Sequence, residues 1–214
     1  MNSEISNNQK KDMNKTEVKC DFKKIKKDYF LLKVFNNIRK KNLLEITKYN
    51  KKIKERLNLN INDYKKYCET YSSIEIELIP VINKYGNFIN INEDDRIYYH
   101  IYFNNNKEEI KRNYLDENDK VNKIKIIIDY QVKSFKKLFN CCKCIEIISF
   151  KKFYRNNITD MSGMFYACLS LTKLNLTNFN TNNVTNMMGM FFGCSEQLKM
   201  KIKSLNKFKE NAFE

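Results

Sequence analysis

"MSGMFYACLSLTKLNLTNFNTNNVTNMMGMFFGC", residues 161–194, states one pattern twice. Met161, Gly163, Met164, Phe165 and Cys168 return 26 residues later as Met187, Gly189, Met190, Phe191 and Cys194. The same interval reaches backwards. Phe139, Cys142, Phe153, Asn156, Asn157 and Thr159 precede Phe165, Cys168, Phe179, Asn182, Asn183 and Thr185, and Ile145, Ile148 and Phe150 precede Leu171, Leu174 and Leu176. Val132, Ile158 and Val184 make a further ladder. The period therefore runs from Lys120 to the C-terminus. Apolar residues recurring at fixed offsets imply units that cannot bury their own apolar side and so stack on one another.

A period of roughly 20–29 residues around an L-x-x-L-x-L core marks leucine-rich repeats, one short strand and one helix per unit. Gly163 and Gly189 then fall in the first helical turn, where glycine costs about 1 kcal/mol relative to alanine; close packing of neighbouring helices is the expected reason. Residues 161–187 resemble the BspA-like leucine-rich repeat family, whose pattern is matched by Met161, Met164, Phe165, Cys168, Leu171, Leu174, Leu176, Phe179, Thr181, Val184, Thr185 and Met187. The unit before departs from the pattern. The unit after loses register, with Gln197 where leucine is expected, and "KSLNKFKENAFE" is expected to be an atypical cap.

If the repeats supply strands, the residues between the buried leucines point to the opposite sheet face. One unit then exposes Lys173, Asn175 and Thr177, the next Lys199, Lys201 and Lys203, and the preceding one Ser149 and Lys151. Such a face is polar and basic, suited to an acidic segment of a protein partner.

Upstream the pattern changes. Residues 1–16 are polar and without periodicity, and are expected to be a disordered tail. Residues 17–71 read as helical: Leu31, Val34, Phe35, Ile38, Leu43, Ile46, Tyr49 and Ile53 recur at spacings of three and four. Asn42 is a candidate cap before Leu43, and "NIND" (60–63) a candidate boundary between two helices. Residues 72–119 read as strands. "SSIEIELIPVI" alternates, "RIYYHIYF" is aromatic and β-branched, "NNNK" and "DEND" are turns, and Pro80 ends the first strand. "EEIKRNYL" is either a returning strand or a short helix over 108–114. The expected fold is α+β: a helical N-terminal region, a central antiparallel β-meander, and a short C-terminal leucine-rich-repeat solenoid over 120–214 sharing the strand "KIKIIID" with the meander.

"YFLLKVFNNIRKKNLLEITKYNKKIKERL" (29–57) is similar to an F-box through Leu31, Leu32, Val34, Phe35, Ile38, Leu43, Leu44, Asn50, Lys51 and Leu57. The usual Leu-Pro opening is replaced by "KDYF". The likeness implies a ubiquitin-ligase adaptor docking through Leu31, Phe35 and Leu43, with the repeats receiving substrate. The competing reading is a helical bundle.

The net charge of +15 invites nucleic acid, but only five of the 40 basic residues are arginine, the side chain suited to bidentate contacts. The charge is also uneven: net +10 over 1–71, −2 over 72–133 and +7 over 134–214. The abundance of Lys and Asn reads as compositional bias, and nucleic-acid association is the weaker alternative. No signal-peptide core and no run of 18 apolar residues is present, so a cytoplasmic protein with reduced thiols and no membrane span is expected.

Catalytic and metal motifs are sparse. "CCKC" (141–144) suggests zinc, which needs four ligands; there is no second CxxC and His100 is the only histidine. Cys142 instead joins the ladder of Cys168 and Cys194 as a small apolar filler. His100 reads as a strand residue facing solvent or a partner, and Glu93, Asp94 and Asp95 as a solvated turn. No nucleophile elbow, phosphate loop or dinucleotide fingerprint occurs. The sequence points to a non-catalytic protein-binding module without cofactor or metal.

Overall fold

The computed structural model describes residues 40–214, which fall into two units divided between Leu59 and Asn60. In the first unit, α1 (Lys40–Thr47) and α2 (Lys51–Arg56) follow the three-and-four spacing. The side-chain oxygen of Asn50 caps α2 by accepting the Ile53 N–H at 3.1 Å. Leu44 and Ile53 are buried and Leu43 half-buried, but Ile46 and Tyr49 are exposed. Asn42 lies inside α1 and caps nothing. The tail over 1–16 and the docking residues Leu31 and Phe35 lie outside the described residues.

The second unit opens with α3 (Ile61–Tyr71). Asn60 accepts the N–H groups of Asn62 and Asp63 at 2.8 and 3.3 Å, and Asp63 accepts the Asn60 N–H at 3.0 Å. Two orphan donors of the first turn are thereby satisfied reciprocally.

Strands β1 (Ile74–Pro80), β3 (Tyr99–Phe103), β5 (Ile124–Ile128), β6 (Ile145–Lys152) and β7 (Lys173–Asn175) form one mixed sheet in the order β3-β5-β1-β6-β7. A two-residue pair, β2 (Gly86–Asn87) with β4 (Tyr114–Leu115), stands apart. In β1, β3 and β5 every second residue is buried. The register brings the apolar positions opposite one another: Ile74 with Ile128, Ile76 with Ile126, Leu78 with Ile124, and Ile101 with Ile126. A period of two puts all of them on the core face.

This architecture corrects the expected one. There is no central antiparallel meander over 72–119. β1 pairs antiparallel with β5 and with β6, both drawn from the repeat region, and occupies the middle of the sheet. "EEIKRNYL" forms neither a full returning strand nor a helix over 108–114: Ile110 makes one bridge to Ile101, and Tyr114–Leu115 pairs with β2. The chain turns at Asn104 and Asn105, both at positive φ, and β3 rejoins β5 through Asn104 N–H to Lys123 O at 2.9 Å.

Nor is there a leucine-rich-repeat solenoid. Parallel pairing between named strands is confined to β6 and β7, and beyond them the units are joined in parallel only by single bridges, Ser134 to Asp160 and Asp160 to Asn186. The next unit forms helix α4 (Glu196–Lys203). Ser195 caps it, accepting the Leu198 N–H at 3.3 Å. Leu198 and Ile202, four apart, are buried, while Met200 between them is exposed. The period of two read in "LKMKI" yields to the cap and to burial at i, i+4. Residues 210–212 form a 3-10 turn at the C-terminal end.

The helix expected at the start of each unit, around Gly163 and Gly189, is absent too. Residues 135–142, 161–168 and 187–194 are successions of tight turns. N–H groups alternate between two acceptors. Met164, Tyr166 and Cys168 donate three residues back, to Met161, Gly163 and Phe165, at 3.1–3.2 Å. Met161, Gly163, Phe165 and Ala167 donate to Asn186, Met188, Met190 and Phe192 of the next unit at 2.8–2.9 Å. Holding this geometry takes two left-handed residues per unit: Lys137, Gly163 and Gly189 in one row, and Cys141, Ala167 and Gly193 in the other, all at positive φ. The glycines serve backbone conformation, not helix packing. Phe139, Phe165 and Phe191 stack with centroids 5.7 and 5.6 Å apart, inside a core that also contains the sheet.

Candidate binding surfaces

The side chains between the buried positions form the sheet's second face. Ser149 stands opposite both Glu77 on β1 and Asn175 on β7, and Lys173 lies beside Ile147, which pairs with Ile79. Lys173, Asn175 and Thr177 are exposed. The Asn175 side-chain oxygen accepts from both the N–H and the hydroxyl of Thr177, at 3.1 and 2.7 Å. Lys151 also lies here, 3.0 Å from a Glu77 carboxylate oxygen, and Ser149 is mostly covered.

The structure thus gathers Ser149, Lys151, Lys173, Asn175 and Thr177 at one end of the sheet. It does not bring Lys199, Lys201 and Lys203 there as a strand row. They lie on α4, where Lys199 pairs with Glu196 and the Lys203 ammonium sits 4.9 Å from the Phe213 ring centroid.

The face is also less basic than its lysines suggest. Glu77 receives Lys123 at 2.7 Å and Lys151 at 3.0 Å, and Glu75 lies 3.8 and 3.9 Å from Lys125 and Lys152. Burial alone would raise the Glu77 carboxyl, but hydrogen bonds from Lys123 and Lys151 outweigh it and hold the group below its usual range. The alternation in "SSIEIELIP" marks Glu75 and Glu77 as outward-facing. Their lysine partners become visible only with strand order.

Cys142, Cys144, Cys168 and Cys194 are buried, and Cys68 and Cys141 exposed. Burial pushes the Cys144 and Cys194 thiols up to about 11, and those of Cys142 and Cys168 higher still. A protonated thiol is neither a good nucleophile nor a metal ligand. His100 is half-buried on β3 between two carboxylates, Glu109 at 3.4 Å and Asp129 at 3.5 Å. Glu93, Asp94 and Asp95 lie in a 3-10 turn, where Glu93 pairs with Arg96 at 3.5 Å. Among the described residues no group of three or more His, Cys, Asp or Glu side chains is placed to hold a metal ion. No described helix is long and apolar enough to cross a membrane.

A second surface lies on the stacked turns. Tyr166 and Phe192, one period apart, stack at 5.2 Å with 17° between planes, and both are exposed. With Met188, Gly163, Gly189, Lys136 and Lys137 they line a groove of about 550 Å³. The aromatic pair obeys the 26-residue period, which is the signal that could have found it. Only the turn geometry shows that these rings point outward while Phe165 and Phe191 point in.

Residues 117–212 match the family described as "Mycoplasma protein of unknown function, DUF285". The match covers nearly all of the repeat region, β5 included. No curated protein and no solved structure matches the chain.

Proposed function

We propose that the chain is a non-catalytic protein-interaction module, and that a partner engages the β6–β7 end of the sheet. One observation carries this reading: β7 is an edge strand, paired on one side only, and it displays exposed Lys173 and Asn175. Main-chain groups along an unpaired edge accept an added strand, and the neighbouring side chains select it. Lys173 enters no ion pair among the described residues, whereas Lys151 is partly neutralised by Glu77. The partner chemistry is therefore an extended segment with an acidic residue near Lys173. The likeness of residues 161–187 to the BspA-like repeat pattern supports the same class of function at the level of sequence alone.

The test is a nuclease-treated pull-down with the full chain at low and high salt, comparing wild type with Lys151→Glu/Lys173→Glu. A discrete partner retained by wild type in high salt and lost by the variant is the expected result. Retention by both would place binding elsewhere. Material that disappears on nuclease or moderate salt would leave nonspecific charge as the adhesive.

A further inference from the structure

The groove on the stacked turns is built in three rows that follow the 26-residue period. One row is Lys136, Ser162 and Met188; the middle row is Lys137, Gly163 and Gly189; the third holds Tyr166 and Phe192. The middle row is the floor, and at Gly163 and Gly189 it carries no side chain. A Cβ on Gly163 would lie in ordinary van der Waals contact with the Lys137 and Tyr166 side chains, at 3.4 and 3.7 Å. The walls are apolar at Met188, Tyr166 and Phe192 and polar at Lys136 and Ser162. Met188 is 65% exposed, Phe192 46% and Tyr166 40%, although Met187, Phe165 and Phe191 beside them are buried.

The ends of the groove differ. Lys136 and Lys137 stand at one end, with no ion pair among the described residues, and Glu214 stands at the other. The length also bounds the occupant. Turns stack at the 5.7 and 5.6 Å spacing of the Phe139, Phe165 and Phe191 rings, so three turns span roughly 11 Å, the reach of three to four extended residues. Tyr166 and Phe192 already cover each other's faces at 5.2 Å, leaving no slot for a base between them, and the lining contains no arginine.

We infer that this groove binds a short extended peptide segment, with an apolar side chain between Met188 and the Tyr166–Phe192 rings and an acidic residue over Lys136 and Lys137. It is a second surface, distinct from the β7 edge, and it shares with the proposed function only the class of partner.

The experiment selects a random peptide library displayed on phage against the full chain, then measures the enriched peptides by fluorescence polarisation. Peptides combining an apolar residue with Asp or Glu are expected. Met188→Glu should weaken them at least tenfold and Lys136→Glu severalfold, while Lys151→Glu/Lys173→Glu leaves them unchanged. Met188 is exposed, and circular dichroism and the melting temperature verify that its variant folds. No enrichment, or equal binding by Met188→Glu, overturns the inference. Loss only in Lys151→Glu/Lys173→Glu would assign the peptides to β7, upholding the proposed function and overturning the groove. A dimer in sedimentation velocity that Met188→Glu dissolves would assign the groove to a second copy, and competition by a single-stranded oligonucleotide would assign it to nucleic acid; either overturns the peptide.

Discussion

Cys168 donates its thiol hydrogen to the carbonyl oxygen of Phe139, 29 residues earlier, at 2.9 Å, and Cys194 repeats the contact to Phe165 at 3.1 Å. The cysteine ladder therefore does more than fill space. Each thiol ties one turn to the previous one through an acceptor that already serves an amide of its own turn, Cys142 N–H in the case of Phe139.

Burial of these thiols makes stability fall at alkaline pH. The folded state keeps Cys144 and Cys194 protonated up to about 11, against 9.0 for an unperturbed thiol. The native state thus holds more protons between those values. The contribution is complete below about pH 9 and lost as pH rises through the folded value, at up to about 1.4 kcal/mol per thiol per pH unit. Urea midpoints measured near pH 8 and near pH 10 should drop less for Cys194→Ser than for wild type. Parallel declines would show that this thiol does not govern the slope.

Exposure predicts a labelling order. Iodoacetamide on the native protein should modify Cys68 and Cys141, while Cys142, Cys144, Cys168 and Cys194 react only after denaturation. Peptide mass spectrometry reads this directly, and early labelling of Cys168 would mean the stacked turns open readily.

The left-handed rows make opposite substitutions informative. Gly193 has φ 72°, and an added Cβ would lie 3.3 Å from the Ala167 Cα. Gly193→Ala should cost about 1–2 kcal/mol or more. Ala167 adopts φ 53°, so Ala167→Gly should be neutral or stabilising by up to about 1 kcal/mol, a reversal of the usual alanine advantage. Chemical denaturation measures both; a clear loss for Ala167→Gly contradicts the conformational account.

Glu77 on β1 joins β6 through Lys151 and the residue just before β5 through Lys123. Glu77→Gln should cost about 1 kcal/mol near neutrality, a modest figure because the pairs are partly solvated. The folded carboxyl is held below 4.5, so its contribution is present at neutral pH and is lost as pH falls through the folded value. Acid titration of stability should therefore be shallower in the variant below about pH 4.5.

At the end of the stack, Asn211 and Ala212 accept the N–H groups of Gly189 and Phe191 at 2.9 and 2.7 Å, and Phe213 continues the aromatic ladder 5.2 Å from Phe191. Phe213→Ala should cost about 2 kcal/mol, less than a fully buried phenylalanine. Hydrogen exchange should accelerate at Gly189 and Phe191 before it does at Phe139. Uniform acceleration would indicate that the whole unit opens together.

The sequence by itself determined the ladder. A 26-residue period can be read without coordinates because every unit meets the same neighbour, so Phe139, Phe165 and Phe191 face one demand. The alternation of β1 and β5 was legible for a similar reason, since period two places Ile74, Ile76 and Leu78 on one face wherever the strand pairs. The helix boundary within "NIND" (60–63) was legible because capping chemistry is local, and the structure puts the cap at its first residue, Asn60.

Strand order, the conformation of each turn and the fate of the third unit were decided by tertiary structure. Nothing local tells β6 to take β1 as its antiparallel neighbour, which turns an expected solenoid into a mixed sheet. Glycine at 163 and 189 fits a helix with loss or a left-handed turn without it, and only hydrogen bonds to the next unit choose. "LKMKI" alternates like a strand, yet Ser195 caps it and burial of Leu198 with Ile202 makes it helical. That single outcome takes Lys199, Lys201 and Lys203 off the strand face and leaves β7 as an edge.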